Sequence, residues 1–295
     1  MSAVVIFLIV CTVLMVQANP LKPIDGDIVG GRSIDWSKVK IGYLVPSDLD
    51  DYLREIGIEL KFTPPTSEQK SGKTPYQVGI ALTKSSKTKW CSGVLISDKF
   101  VVTAAHCLNG VDKGAIFLGV SNIQSQSEVV TFVSNENFII HEDWNSEDML
   151  NDIALIKLPI VVKFTEKIQP VRFPSQITGV ETLRGSAVVT GWSQCSSSVE
   201  ATFGLLQRAE LQIVSKQICQ EASDVNIHKE NICTQAQSNY QGDTGEPLLV
   251  YENELPKLLG LYSYGQREGC LLGGLAVFTD VTLYIDWISA KTGVY

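Results

Sequence analysis

The stretch Gln241 to Leu248, Gln-Gly-Asp-Thr-Gly-Glu-Pro-Leu, sets the hydroxyl of Thr244 between Gly242 and Gly245. An alcohol attacks a carbonyl carbon only when a histidine can take its proton and backbone N–H groups can hold the developing oxyanion. Threonine supplies the hydroxyl but adds a methyl on Cβ, which restricts χ1 and puts bulk where an imidazole or a carbonyl must come within about 3 Å. Attack through Thr244 is therefore expected to be badly impaired. Upstream lie Thr103-Ala104-Ala105-His106-Cys107 and Asn151-Asp152-Ile153-Ala154-Leu155-Ile156-Lys157-Leu158, so a histidine, an aspartate and a hydroxyl follow one another in chain order.

These three stretches together resemble the chymotrypsin-like serine proteases, whose nucleophile loop reads Gly-Asp-Ser-Gly-Gly-Pro. Pro75-Tyr76-Gln77-Val78, Gly191-Trp192 and Ser263-Tyr264-Gly265 extend the likeness over Pro75 to Tyr295. The resemblance implies an all-β fold of two antiparallel six-stranded β-barrels with a C-terminal helix and a site in the cleft between them. It places His106 at the general-base position, Asp152 where the imidazole is oriented, and the backbone N–H groups of Gly242 and Thr244 as oxyanion donors. Ser238, Gly265 and Ala276 fall on the substrate pocket; a neutral Ser238 at its base suits a large apolar side chain. Ala276 stands in place of a pocket-wall glycine and narrows the slot, and Tyr264 replaces the usual tryptophan. Thr244 replaces the nucleophilic serine, and Glu246 replaces a glycine, adding a charge beside the loop. Because a triad acts as a unit, His106 and Asp152 are expected to persist as structural cleft residues.

Members of the family are cut before an Ile-Val-x-Gly sequence, whose new amine pairs with the aspartate beside the nucleophile, here Asp243. The family's usual interval back from Pro75 lands on Thr63-Pro64-Pro65 after Phe62, with neither Ile-Val nor a preceding Arg. Ile28-Val29-Gly30-Gly31 follows Asp27 far upstream and reads as coincidence. Ile34 to Lys40 resembles the propeptides of secreted chymotrypsin-like enzymes of flies and mosquitoes. By position, Cys91 with Cys107 and Cys219 with Cys233 match two bridges of the family. Tyr240 replaces a third bridge's cysteine and leaves Cys270 without its usual partner, so a Cys195–Cys270 bridge is expected instead.

The elements that must position these residues read as short strands separated by turns. They are Tyr76–Leu82, Ser92–Ile96, Phe100–Thr103, Ala115–Leu118, Glu128–Val133, Ile153–Lys157, Ser186–Thr190, Leu206–Ile213, Leu248–Val250, Leu258–Tyr262 and Leu275–Asp280. Tyr284 to Thr292 reads as a helix with Tyr284, Ile285 and Ile288 on its apolar face, and no helical crossover suggests a parallel sheet. Upstream, Ser47 is expected to cap a short helix to Ile56, whose Leu49, Tyr52, Leu53 and Ile56 face would be all that holds a cut prosegment.

The chain has 295 residues, 44% of them hydrophobic, enough for one large core or two packed barrels. A net charge of −8 without a basic run argues against nucleic acid or an anionic membrane as partner. Ala3 to Val16 is uncharged and apolar and ends in Val16-Gln17-Ala18, so residues 1–18 read as a signal peptide, although a positive n-region is missing. Residues 19–73 then form a prosegment and linker, and 74–295 the protease-like domain of a secreted, extracellular protein. Of the seven cysteines, Cys11 leaves with the leader, and the even remainder reads as disulfides rather than a metal set. His141-Glu142-Asp143 reads as a polar turn before a metal site, and no metal or cofactor is expected.

Three functions stay open at this level. The first is an inert homologue, monomeric, that binds an extracellular protein partner, as such homologues do in arthropod immunity or in the saliva of blood feeders. The second is a weakly active endopeptidase of chymotrypsin-like preference using Thr244. The third is a storage or structural role.

Overall fold

The computed structural model describes residues 43–44, 74–84, 87–122, 127–175, 185–192, 206–221, 226–236, 244–265 and 275–294. Outside them lie the expected leader, the 47–56 helix, Cys195, Cys270, Ser238, Tyr240, Gly242 and Asp243. The first half of the fold is one antiparallel sheet: β1 (Tyr43–Leu44), β2 (Gln77–Lys84), β3 (Lys87–Leu95), β4 (Phe100–Thr103), β5 (Lys113–Leu118), β6 (Val129–Ser134), β7 (Phe138–Ile140) and β8 (Ala154–Lys157). Its order is β1-β6-β5-β2-β3-β4-β8-β7. The second half is a closed six-stranded barrel, β10-β11-β14-β13-β12-β9, built from β9 (Ser186–Gly191), β10 (Gln207–Val214), β11 (Asn231–Ala236), β12 (Pro247–Glu252), β13 (Leu255–Gly265) and β14 (Leu275–Asp280).

The expected pair of six-stranded barrels is thus met in the second half, while the first departs in strand count. The expected Glu128–Val133 strand is met by β6, which pairs with β5; a 3-10 turn at Asn135–Asn137 then leads into β7, which pairs with β8. Asn137 Oδ1 accepts from Ser134 N at 2.9 Å, a side-chain bond that offers the backbone an alternative to the ladder. That turn carries the chain from β6, one strand in from one edge of the sheet, to β7 at the opposite edge. The eighth strand, β1, comes from the expected prosegment and pairs antiparallel with β6, Tyr43 opposite Thr131 and Leu44 opposite Val130. Helix packing is thus not the sole expected hold on that segment; backbone pairing is another.

Alternation along the strands builds two cores at once. On β4, Val101 faces a first cluster with Val78, Ile80 and Ile156, while Val102 faces a second with Leu155, Leu249, Leu258, Leu261 and Ile288. The second cluster joins the two halves, and each side chain fully buried in it contributes about 1.5–3 kcal/mol. The C-terminal helix, α3 (Ile285–Thr292), follows a 3-10 turn at Val281–Tyr284, so Tyr284 lies just before the helix rather than in it. Asp280 starts that turn by accepting from Thr282 N (3.0 Å) and Thr282 Oγ1 (2.6 Å), and Gly293 ends the helix at φ +69°. The two short helices, α1 (Ala105–Leu108) and α2 (Lys216–Glu221), and strands β7 and β11 were not anticipated.

Candidate active site

Strands β4 and β8 pair with Thr103 opposite Ala154. His106 follows Thr103 within a turn, on α1, and Asp152 precedes Ala154 by two residues, so register alone delivers both side chains to the same end of the sheet. Asp152 Oδ2 accepts from His106 Nδ1 at 2.7 Å, and Oδ1 accepts from the His106 backbone N–H at 2.9 Å. A carboxylate cannot donate, so Nδ1 carries the proton and Nε2 of the neutral ring keeps its lone pair. Asp152 is 1% exposed, whereas the imidazole is 27% exposed and faces outward.

Sequence reasoning did not assign Ser263, which sits at a bulge in β13 and donates to Asp152 Oδ2 at 2.5 Å. Thr279 Oγ1 holds the Asp152 backbone carbonyl at 3.0 Å. Asn151 was quoted without a role; its amide donates to Asp143 O (2.8 Å), its carbonyl accepts from Tyr284 OH (2.9 Å), and its φ is +53°. The second half thus holds the carboxylate through Ser263 of β13, the Asp152 backbone through Thr279 of β14, and the neighbouring Asn151 through Tyr284 before α3. The run Ser263-Tyr264-Gly265 was a usable signal for Ser263; nothing local marks Thr279.

On the other side of the imidazole, Lys89 Nζ donates to His106 O at 3.0 Å. Burial, then the neighbouring Lys84, lowers the Lys89 pKa, against an opposing pull from Asp152. The Trp144 ring lies 6.5 Å from His106, centroid to centroid. Tyr264, in the expected tryptophan's place, has its phenol pushed up to about 12 by burial, with the Asp152 charge adding to it.

Thr244 arrives from the second half. Its carbonyl accepts from Ser92 N at 2.7 Å, and the Cys107 sulfur lies 3.8 Å from the same oxygen, so the loop is seated against β3 and α1. Gly245 has φ +79°, and a β-carbon there would meet Ser92 O at 2.3 Å and Thr103 Oγ1 at 2.4 Å, which leaves room for glycine alone. Among the described residues, the Thr244 hydroxyl makes no hydrogen bond to His106. Glu246, expected to place a charge beside the loop, is fully buried, and its backbone O accepts from Tyr262 N at 2.9 Å.

Of the expected pocket residues, Gly265 and Ala276 are opposite each other on β13 and β14. The bridges Cys91–Cys107 and Cys219–Cys233 are formed, with Cα atoms 6.4 and 6.1 Å apart. His141 packs against Tyr284 and Trp287 at 5.3 and 5.0 Å, and Asn145 organises the turn behind it by accepting from Glu147 N.

This two-sheet architecture, with a histidine and aspartate from one half facing a hydroxyl loop from the other, is the arrangement of a trypsin-like serine protease domain. The chain belongs to the trypsin family, whose model, described as Trypsin, matches residues 65–288. It is similar to a collagenase of Hypoderma lineatum, 35% identical with 77% of this chain and 86% of that protein covered. It is likewise similar to brachyurin of Leptuca pugilator, 34% identical over 70% of this chain and 88% of that protein. Serine protease 1 of Drosophila melanogaster is 34% identical over 76% and 83%. Among solved structures, HL collagenase superposes with a TM-score of 0.65 at 33% identity, covering 75% of this chain and 94% of that one. No helix among the described residues is long and apolar enough to cross a membrane.

Proposed function

We propose that this trypsin-family chain is a secreted, catalytically impaired homologue that works by binding an extracellular protein. The observation that carries the reading is the way the Thr244 loop is held. Ser92 N–H grips the Thr244 carbonyl, and Gly245 touches Ser92 and Thr103 with no slack behind it. The backbone cannot recede to make room for the extra methyl of threonine, so the methyl takes up space needed by the imidazole or the incoming carbonyl. Within this reading the 19–73 prosegment stays attached, because Phe62-Thr63-Pro64 offers trypsin-like activators no basic residue, and β1 adds backbone pairing to β6. A fluorophosphonate, which needs an activated hydroxyl, should leave Thr244 unlabelled. A pull-down from an arthropod's haemolymph or host plasma should retain a specific protein; retention of none favours a storage role.

The alternative is a weak endopeptidase of apolar preference. The specific observation in its favour is the oriented His106–Asp152–Ser263 set, which is a working base in geometry. Robust turnover of peptide esters, blocked by the phosphonate, would establish it over the impaired reading.

A further inference from the structure

Tyr262 lies on β13 beside Ser263 and is followed by the bulge that turns Ser263 toward Asp152. Its ring meets Phe278 of β14 edge-on, centroids 5.4 Å apart at 90°, and packs on the cluster that contains Ala276. From there the side chain runs along the strand to its own neighbour three residues on. A β-carbon built at Gly265 would lie 2.6 Å from the Tyr262 hydroxyl and 3.5 Å from the carbon that bears it. Gly265 and Ala276 face each other across β13 and β14, and two such small residues in register leave little side-chain bulk on this face of the barrel's end. The tip of Tyr262 takes the place a side chain at Gly265 would need.

We propose that Tyr262 is the residue that decides what the site can hold: its phenol fills the space against Gly265 and Ala276 and excludes any large apolar or aromatic side chain. This rests on the reading of Gly265 and Ala276 as pocket walls, and it is independent of the fate of Thr244. A neutral Ser238 suits a large apolar side chain and Ala276 narrows the slot; Tyr262 makes that slot self-occupied. The ligand class left to the site is extended peptide backbone with glycine or alanine at this position, held without a side-chain anchor. A self-filled pocket also explains a mode of binding in which affinity comes from surface around the cleft.

The test uses indole as the probe on the full secreted chain, read by saturation-transfer NMR and by a titration. Wild type and Tyr262→Phe should show no saturable binding, because the ring remains in place. Tyr262→Val, checked for a cooperative melt, should bind indole saturably, with an affinity at least about tenfold above the detection limit that wild type fails to reach. Saturable binding by wild type, or none by a folded Tyr262→Val, overturns the proposal. Should Tyr262→Val not fold, Gly265→Ala reports on the same contact. Its added methyl should lower Tm in the wild-type background and recover most of that loss with Tyr262→Phe, which removes the hydroxyl it meets. Equal losses in both backgrounds would show that the hydroxyl is elsewhere and overturn the inference. Indole binding says nothing about phosphonate labelling of Thr244, so the two readings fail separately.

Discussion

At Thr244 one methyl group is weighed against an otherwise oriented site, and the outcome depends on how firmly the backbone is held. Thr244→Ser returns an unhindered hydroxyl, yet under the proposed reading, with the prosegment still attached, Asp243 would lack an activating amine. Loss of one oxyanion donor typically costs about 2.7–4 kcal/mol, and loss of a preorganised loop should cost at least that. Assays on apolar ester and peptide substrates should find both wild type and Thr244→Ser near background. Adding Phe62→Arg, Thr63→Ile and Pro64→Val to build a cleavable junction should raise activity weakly at most. Family-like rates from Thr244→Ser alone would show the loop already formed. The grip itself is testable at Gly245: Gly245→Ala puts a β-carbon at φ +79° and into Ser92 O, so it should cost at least about 1–3 kcal/mol in urea unfolding. At this scale His106, Asp152 and Thr244 were legible because each sits in its own short motif. Ser263 and Tyr262 were harder to read: a serine and a tyrosine inside a strand look like ordinary alternation until a bulge and a facing strand give them neighbours.

Among the elements, the alternating strands were readable, since Val101 and Val102 or Leu155 and Ile156 each feed a different core. β11 was not, because Asn231-Ile232-Cys233-Thr234-Gln235-Ala236 is half polar and does not alternate, and its burial comes from β10 and β14. The join between the 141–152 loop and α3 was equally invisible, as it depends on contacts across the two halves. There Glu142 accepts from Trp287 Nε1 at 2.8 Å and pairs with Lys291, while Tyr284 holds Asn151. The Lys291 hydrogen bond first, then the Glu142 backbone N–H and Trp287, hold the Glu142 carboxyl down to about 2 from 4.5. A depressed carboxyl contributes stability that is present above its unfolded value and lost as pH falls through the folded one. Glu142→Gln should therefore melt below wild type near neutral pH, with the gap closing between pH 4.5 and about 2. Because the pair is largely exposed, the gap should be small and shrink with salt. A gap independent of pH would show that packing of the side chain, not its charge, matters.

For the whole molecule, the two halves are knitted at several depths. Thr190 Oγ1 donates to Gln77 Oε1 at 2.7 Å in a buried contact, Trp90 meets Trp192 edge-on at 5.6 Å, and the mixed core lies beneath. A site built across such a seam is held as rigidly as the seam. The proposed Cys195–Cys270 bridge would add a covalent tie within the second half. Peptide mapping without reduction should recover the two cysteines in one linked species, and either thiol found free would remove the bridge.

The pairing of Tyr43 and Leu44 with β6 has a kinetic side. Two residues of antiparallel ladder are too few to persist between separate molecules, and here they hold because the strand is tethered to its own sheet, at high effective concentration. A protease that severed the chain between residues 45 and 73 would turn that intramolecular pairing into a bimolecular one, and the fragment would diffuse away. Such a cut would then act as an unmasking event: it would bare a strand edge whose unpaired N–H and C=O groups invite a second chain. Sedimentation of the intact protein should give a monomer, and nicking in the tether should give concentration-dependent association even though no residue of the cleft has changed.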